Sequence, residues 1–126
     1  MTVDATINLA ANGGSPDVQA IVGFAQYARY EMLLWQSNHT FIVIGAGDST
    51  QAVQRFSLQL SPGDLKGRRL VWTGELRPLT APSNQAYAVQ LVFFQNGAVV
   101  PGVNASKQGN FGTNSRVLET IVCEFA

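Results

Sequence analysis

The feature that most constrains this chain is an apolar/polar alternation of period two, which starts at Val3 and returns along most of the length, interrupted each time by glycine, proline or asparagine. Successive side chains of a β-strand point to opposite faces, so such alternation marks strands with one buried face; a helix would repeat every 3.6 residues. Val3, Ala5, Ile7 and Leu9 fall on one face, with Thr2, Asp4, Thr6 and Asn8 on the other. Phe56, Leu58 and Leu60 alternate with Ser57, Gln59 and Ser61 as far as Pro62-Gly63, a turn signal. Leu70, Trp72 and Leu76 oppose Thr73, Glu75 and Arg77 until Pro78 and Pro82, and Trp72 is expected in the core. Residues 86–94 lead through Gln95-Asn96-Gly97 into Ala98-Val99-Val100. Asn-Gly between two apolar runs predicts a hairpin with a type I′ turn, whose two central residues need positive φ. In the last run Ile121, Cys123 and Phe125 share a face opposite Thr120, Val122 and Glu124. Residues 40–45 are apolar on both faces, which predicts a central strand or one covered on both sides.

Residues 16–35 admit two readings. Ser15-Pro16-Asp17 has the residue types of a helix start, and Val18, Ile21, Val22, Ala25, Met32 and Leu33 would line one stripe. Arg29 would then fall inside that stripe, Leu34 outside it, and Gly23 would cost about 1 kcal/mol in the interior. As a strand, Val22, Phe24, Ala28, Tyr30, Met32 and Leu34 share a face with Gln26 as the single defect, a bulge or bend through which one long strand enters two sheets. The strand reading fits better. The expected fold class is therefore all-β, an antiparallel β-sandwich that is jelly-roll-like or C2/Ig-like, with about eight strands in one domain over residues 1–126. The alternative is α+β, with a helix over 16–35 laid on an antiparallel sheet.

Eight Lys/Arg balance eight Asp/Glu, and charged residues make up only 13% of the chain, against about 25% in typical domains. Nucleic acid is thus not an expected partner, because phosphate binding concentrates Lys and Arg on one face. The one basic run, Lys66-Gly67-Arg68-Arg69, reads as a solvated turn after Pro62-Gly63-Asp64. No stretch approaches the roughly 18 apolar residues of a membrane-spanning helix, and the first residues lack the pattern of a secretory signal. Cytoplasmic residence is the default expectation, with export as part of a longer protein left open. The lone Cys123 reads as a small buried hydrophobe.

The missing charge is replaced by amides and hydroxyls, and their placement suggests a site. If consecutive strands alternate in direction, the segments 11–18, 46–51, 79–85 and 104–114 emerge at one pole, and 36–39, 62–67 and Asn96-Gly97 at the other. The first group is rich in Asn, Gln, Ser and Gly, which suit a neutral polyhydroxylated or peptide ligand, although turn geometry alone also accounts for these residues. The leading expectation is a non-enzymatic, lectin-like binding module for a neutral ligand, carbohydrate or protein, using Asp17, Asp48, Asn84, Asn110 and Phe111. The alternative is a structural subunit that assembles into homo-oligomers, because low charge and strands apolar on both faces leave area to cover.

Neither cofactor, metal nor catalytic set is expected. Gly45-Ala46-Gly47-Asp48-Ser49-Thr50 departs from the dinucleotide fingerprint at Thr50 and leads into a strand. Asp17 and Asp48 with Asn84 or Asn114 form a thin oxygen set for Ca²⁺. His39 and Cys123 are the only typical zinc donors. A triad would rest on His39 with Ser37 and Asp64, and a carboxylate pair on Glu31 and Glu75, for which ion pairing with Arg29 or Arg77 is simpler. Tyr27, Trp35 and Phe94 are expected away from the core face and available for stacking or docking.

Overall fold

A computed structural model, describing residues 2–23, 27–36, 39–48, 54–79 and 85–126, folds as a β-sandwich. The first sheet runs in the order β1 (Ala5–Ile7), β10 (Val117–Phe125), β6 (Arg69–Arg77), β3 (Tyr27–Trp35), β4 (Phe41–Asp48). The second runs β5 (Arg55–Ser57), β2 (Asp17–Gly23), β7 (Ala86–Gln95), and β7's remaining side is taken by β8 (Ala98–Val99) beside its end and β9 (Ala105–Asn110) beside its start. Every pairing is antiparallel except β1 with β10, which is parallel. A one-turn helix, α1 (Pro62–Leu65), is capped by the Ser61 hydroxyl on the Asp64 amide.

The core lies between the sheets, where alternation sends one face of each strand inward. Met32 and Leu34, Leu70, Trp72 and Leu76, and Ile121, Cys123 and Phe125 meet Val18, Ala20, Val89, Leu91 and Phe93 in one buried cluster. Phe93 and Phe125 touch edge to face at 5.9 Å. At the other end of the same two strands the Tyr87 hydroxyl donates to Glu119 at 2.7 Å. These two contacts fix β7 and β10 as running in the same direction. Because β2 is antiparallel to β7, and β3 runs with β10 through β6, the chain reverses between Gly23 and Tyr27 while changing sheets.

Within 16–35, Asp17–Gly23 and Tyr27–Trp35 are therefore two oppositely directed strands, which corrects both the single bent strand and the helical α+β alternative; Gln26 lies outside the described residues. The Asn96-Gly97 hairpin forms as expected, with φ of 55° and 79°. Two other segments differ. Residues 105–110, expected as loop, form β9: six backbone partners on β7 hold an otherwise polar segment in a strand. The apolar run at 40–45 is not central. It becomes β4, the outer strand of its sheet, with a bulge opposite Met32/Leu33 and with Phe41 and Val43 50% and 58% exposed on the outer face. With these additions the described residues form ten strands rather than eight.

Glycines inside the strands make room for aromatic rings. Tyr30 is flanked across the sheet by Gly47 and Gly74, and Tyr87 lies opposite Gly109, whose added Cβ would come within 2.6 Å of the hydroxyl. Trp72 lies along its own strand over Gly74, in contact with Tyr30 at 5.8 Å.

Candidate functional site

The reversal after Gly23 separates the residues expected to share one pole. Asp17 lies at the end of the sandwich where the Asn96-Gly97 turn sits, opposite Phe94 and Ser57. Gln95 ties the 10–14 segment to that same end: its amide nitrogen donates to the carbonyls of Ala10 and Gly14, and its oxygen accepts from the Ala10 amide. Asp48 and Asn110 do lie at the far end, at the ends of β4 and β9. However, β9 covers the β10 side of the first sheet, where Lys107 pairs with Asp4 at 3.1 Å, so about 14 Å, or three strand spacings, separates the two. The Asn110 side chain accepts the Gly112 amide at 2.7 Å, a turn contact. Phe111 is fully buried against Tyr87 and offers no surface to a ligand. Asn84 lies outside the described residues, as does most of 79–85.

The other candidates separate as well. Glu75 carries a carboxylate held below its usual range, first by the hydrogen bond from Arg77 at 2.9 Å and then by the charges of Arg77 and Arg116. It is offset from Glu31, which faces Thr73 while Glu75 faces Arg29. A carboxylate held ionised in this way does not donate protons. His39 is exposed with φ of 64°, Ser37 lies outside the described residues, and the Asp64 carboxylate accepts from Ser61. Cys123 is buried, its thiol pushed up to about 12 by burial and then by the charge of Asp4. Among the described residues no group of three or more His, Cys, Asp or Glu could hold a metal ion, and no helix is long and apolar enough to cross a membrane.

What the fold assembles instead is an apolar row across the outer face of the first sheet. Val122 on β10 lies beside Val71 on β6, Val71 beside Leu33 on β3, and Leu33 beside Val43 on β4. Val71 and Val122 are buried although they alternate with core residues and so point away from the core. The adjacent row toward the Asn96-Gly97 end places Trp35 beside Phe41, with rings 5.3 Å apart, and beside Arg69, which is ion-paired with Glu124 at 3.0 Å. This row escapes a reading of the strands one at a time, because each strand contributes a single residue to it. The signal is present at Leu33, Val43, Val71 and Val122, yet it becomes a surface only through register.

Two concavities flank it. One, of about 550 Å³, lies on the outer face toward the Asp48 end, where Arg29, Glu31, Thr73, Glu75 and the exposed Leu118 surround it. Asp48 also lines it, while the Tyr30 ring lies on the inner face over Gly47 and against Trp72, its phenol raised by burial and then by the Asp48 charge. The other, of about 600 Å³, lies at the opposite end between Trp35 and Gln36 and the 64–69 corner. No protein-family model, curated protein or solved structure matches the chain, so the reading of these surfaces rests on its own residues.

Proposed function

We propose that this protein is a structural subunit that pairs with a second copy of itself through the β4 side of its first sheet. The observation that carries the reading is the position of β4: a strand apolar on both faces, placed at the edge of a sheet, with Phe41 and Val43 half exposed. Residues 41–47 contain no charged side chain and no proline, the usual guards of an open edge; among the described residues the bulge is the one device of that kind. A second copy suits this surface better than a charged partner, since an uncharged apolar patch is its own complement across a twofold axis.

The test is sedimentation of the intact chain across a concentration series, beside Val43→Lys. Val43 is exposed, so the variant keeps its fold, which circular dichroism checks. The expected result is a dimer for the parent chain and a monomer for the variant. A parent chain that stays monomeric at high concentration overturns the proposal.

A second reading, recognition of a neutral ligand such as a carbohydrate, finds support in the outer-face concavity rather than in the loop pole. There Arg29, Thr73 and Glu75 project from neighbouring strands, and rigid strand positions hold polar groups more accurately than loops. Screening on a glycan array, with Thr73→Val as the control, separates this reading from assembly; absence of any bound glycan excludes it.

A further inference from the structure

We infer that the concavity at the 64–69 corner is a site for a phosphate group, such as that of a small phosphomonoester. The sequence places three cations, Lys66, Arg68 and Arg69, in four consecutive positions, and the fold turns all three toward one cavity of about 600 Å³. The corner that carries them is fixed. The Gly67 amide donates to the Phe125 carbonyl at 2.7 Å, and the Phe125 amide donates back to the Arg68 carbonyl at 3.0 Å. Leu65, fully buried, anchors the preceding turn, and Gly67 takes the positive φ of 83° that lets the chain swing from α1 into β6.

The three cations are not equally engaged. Arg69 is held by Glu124 at 3.0 Å. Arg68 is oriented by its Nε, which donates to the Asp64 carbonyl at 2.6 Å, but its Nη1 is shut off from solvent without an acceptor. Lys66 is exposed and makes no ion pair among the described residues. Arg68 as a whole is half-buried where it lines the cavity, and a guanidinium beside an ammonium suits an oxyanion. Two acids, Asp64 and Glu124, also line the cavity, one of them already engaged by Arg69. With Arg69 and Glu124 cancelling, Lys66 and Arg68 outweigh Asp64 by one positive charge, which is what remains to attract an incoming anion. Trp35, half-buried at the end of β3, gives the cavity an aromatic wall for whatever group the phosphate carries.

The experiment is calorimetric titration of the intact chain at constant ionic strength with inorganic phosphate, phenyl phosphate and phenol. Wild type is compared with Lys66→Gln and Lys66→Gln/Arg68→Gln. The site predicts saturable binding of both phosphates, tighter for phenyl phosphate, and none of phenol. It also predicts affinity about tenfold weaker in the single variant and weaker again in the double. Because Lys66 is exposed, the single variant tests the site even where loss of Arg68 disturbs the corner. Absence of saturable binding by either phosphate overturns the inference, as does binding that is unchanged in Lys66→Gln or matched by phenol.

Discussion

At the scale of single residues, a buried amide fastens the 10–14 segment to the sandwich. Gln95 is the one buried polar side chain among the described residues, and its two polar atoms make the three hydrogen bonds that fasten residues 10–14 to the end of β7. Asn96 adds a fourth, accepting the Gly14 amide at 3.0 Å. Truncation to alanine would free the Ala10 amide and the Gly14 carbonyl and leave the Ala10 carbonyl only its bond from the Gly13 amide, close to where Gly13 packs against the Gln95 amide group. Gln95→Ala is expected to cost about 2 kcal/mol, the scale of stranding partly buried backbone groups. Urea denaturation measures that loss, and hydrogen exchange would show the 10–14 amides opening well before those of β7. Equal protection of both segments would contradict this role. Trp72 contrasts with Gln95: its indole nitrogen is buried without a partner, so its place is due to its rings, over Gly74 and against Tyr30.

At the scale of elements, strand interiors depend on glycine where an aromatic ring must lie flat. An added Cβ at Gly74 would run into the Trp72 ring, whereas one at Gly63, in α1, would meet nothing within 4 Å. Gly74→Ala is therefore expected to destabilise the protein by about 1–3 kcal/mol through overpacking, and Gly63→Ala to change stability by less than about 0.5 kcal/mol. Chemical denaturation of the two variants side by side decides it. Such packing is not legible from alternation, which shows Gly74 only as an interruption between Trp72 and Leu76. The same limit explains what else escaped. Inward residues of β6, β7 and β10 are plain in the sequence because each strand has one apolar face. The reversal between Gly23 and Tyr27 is not, because the apolar phase continues through it. β4 reads as central because its outward Phe41 and Val43 are apolar like its inward residues, although among the described residues it is an edge strand with both half exposed. β9 reads as loop because backbone pairing with β7, rather than a buried face, holds it. The proposed loop site depended on counting reversals, so one unrecognised reversal moved Asp17 to the opposite end.

At the scale of the whole molecule, two protons report the union of the sheets. Cys123 lies on the inner face of β10, and Tyr87 reaches from β7 to Glu119 on β10, so neither environment survives separation of the sheets. Burial comes first in both cases: it pushes the Cys123 thiol up to about 12, aided by Asp4, and the Tyr87 phenol up to about 12, aided by the hydrogen bond to Glu119. In the unfolded chain a cysteine loses its proton near pH 8.5 and a tyrosine near pH 10. Above roughly pH 8.5 the folded state thus holds protons that the unfolded state has released. The stability these groups contribute is complete below that pH and drains away as the pH climbs toward 12. Thermal unfolding from pH 7 to 11 should show a midpoint that falls progressively above about pH 8.5. Other groups titrate in the same range, so the decisive comparison is with Cys123→Ala/Tyr87→Phe. That variant begins less stable at neutral pH, having lost a packed sulfur and the bond to Glu119, but its midpoint should decline less steeply. Parallel slopes for the two proteins would mean that neither proton is held by the closed sandwich. A thiol reagent offers the kinetic counterpart: Cys123 should react at the rate at which the sheets part, slowly at neutral pH and faster as alkaline conditions weaken the fold.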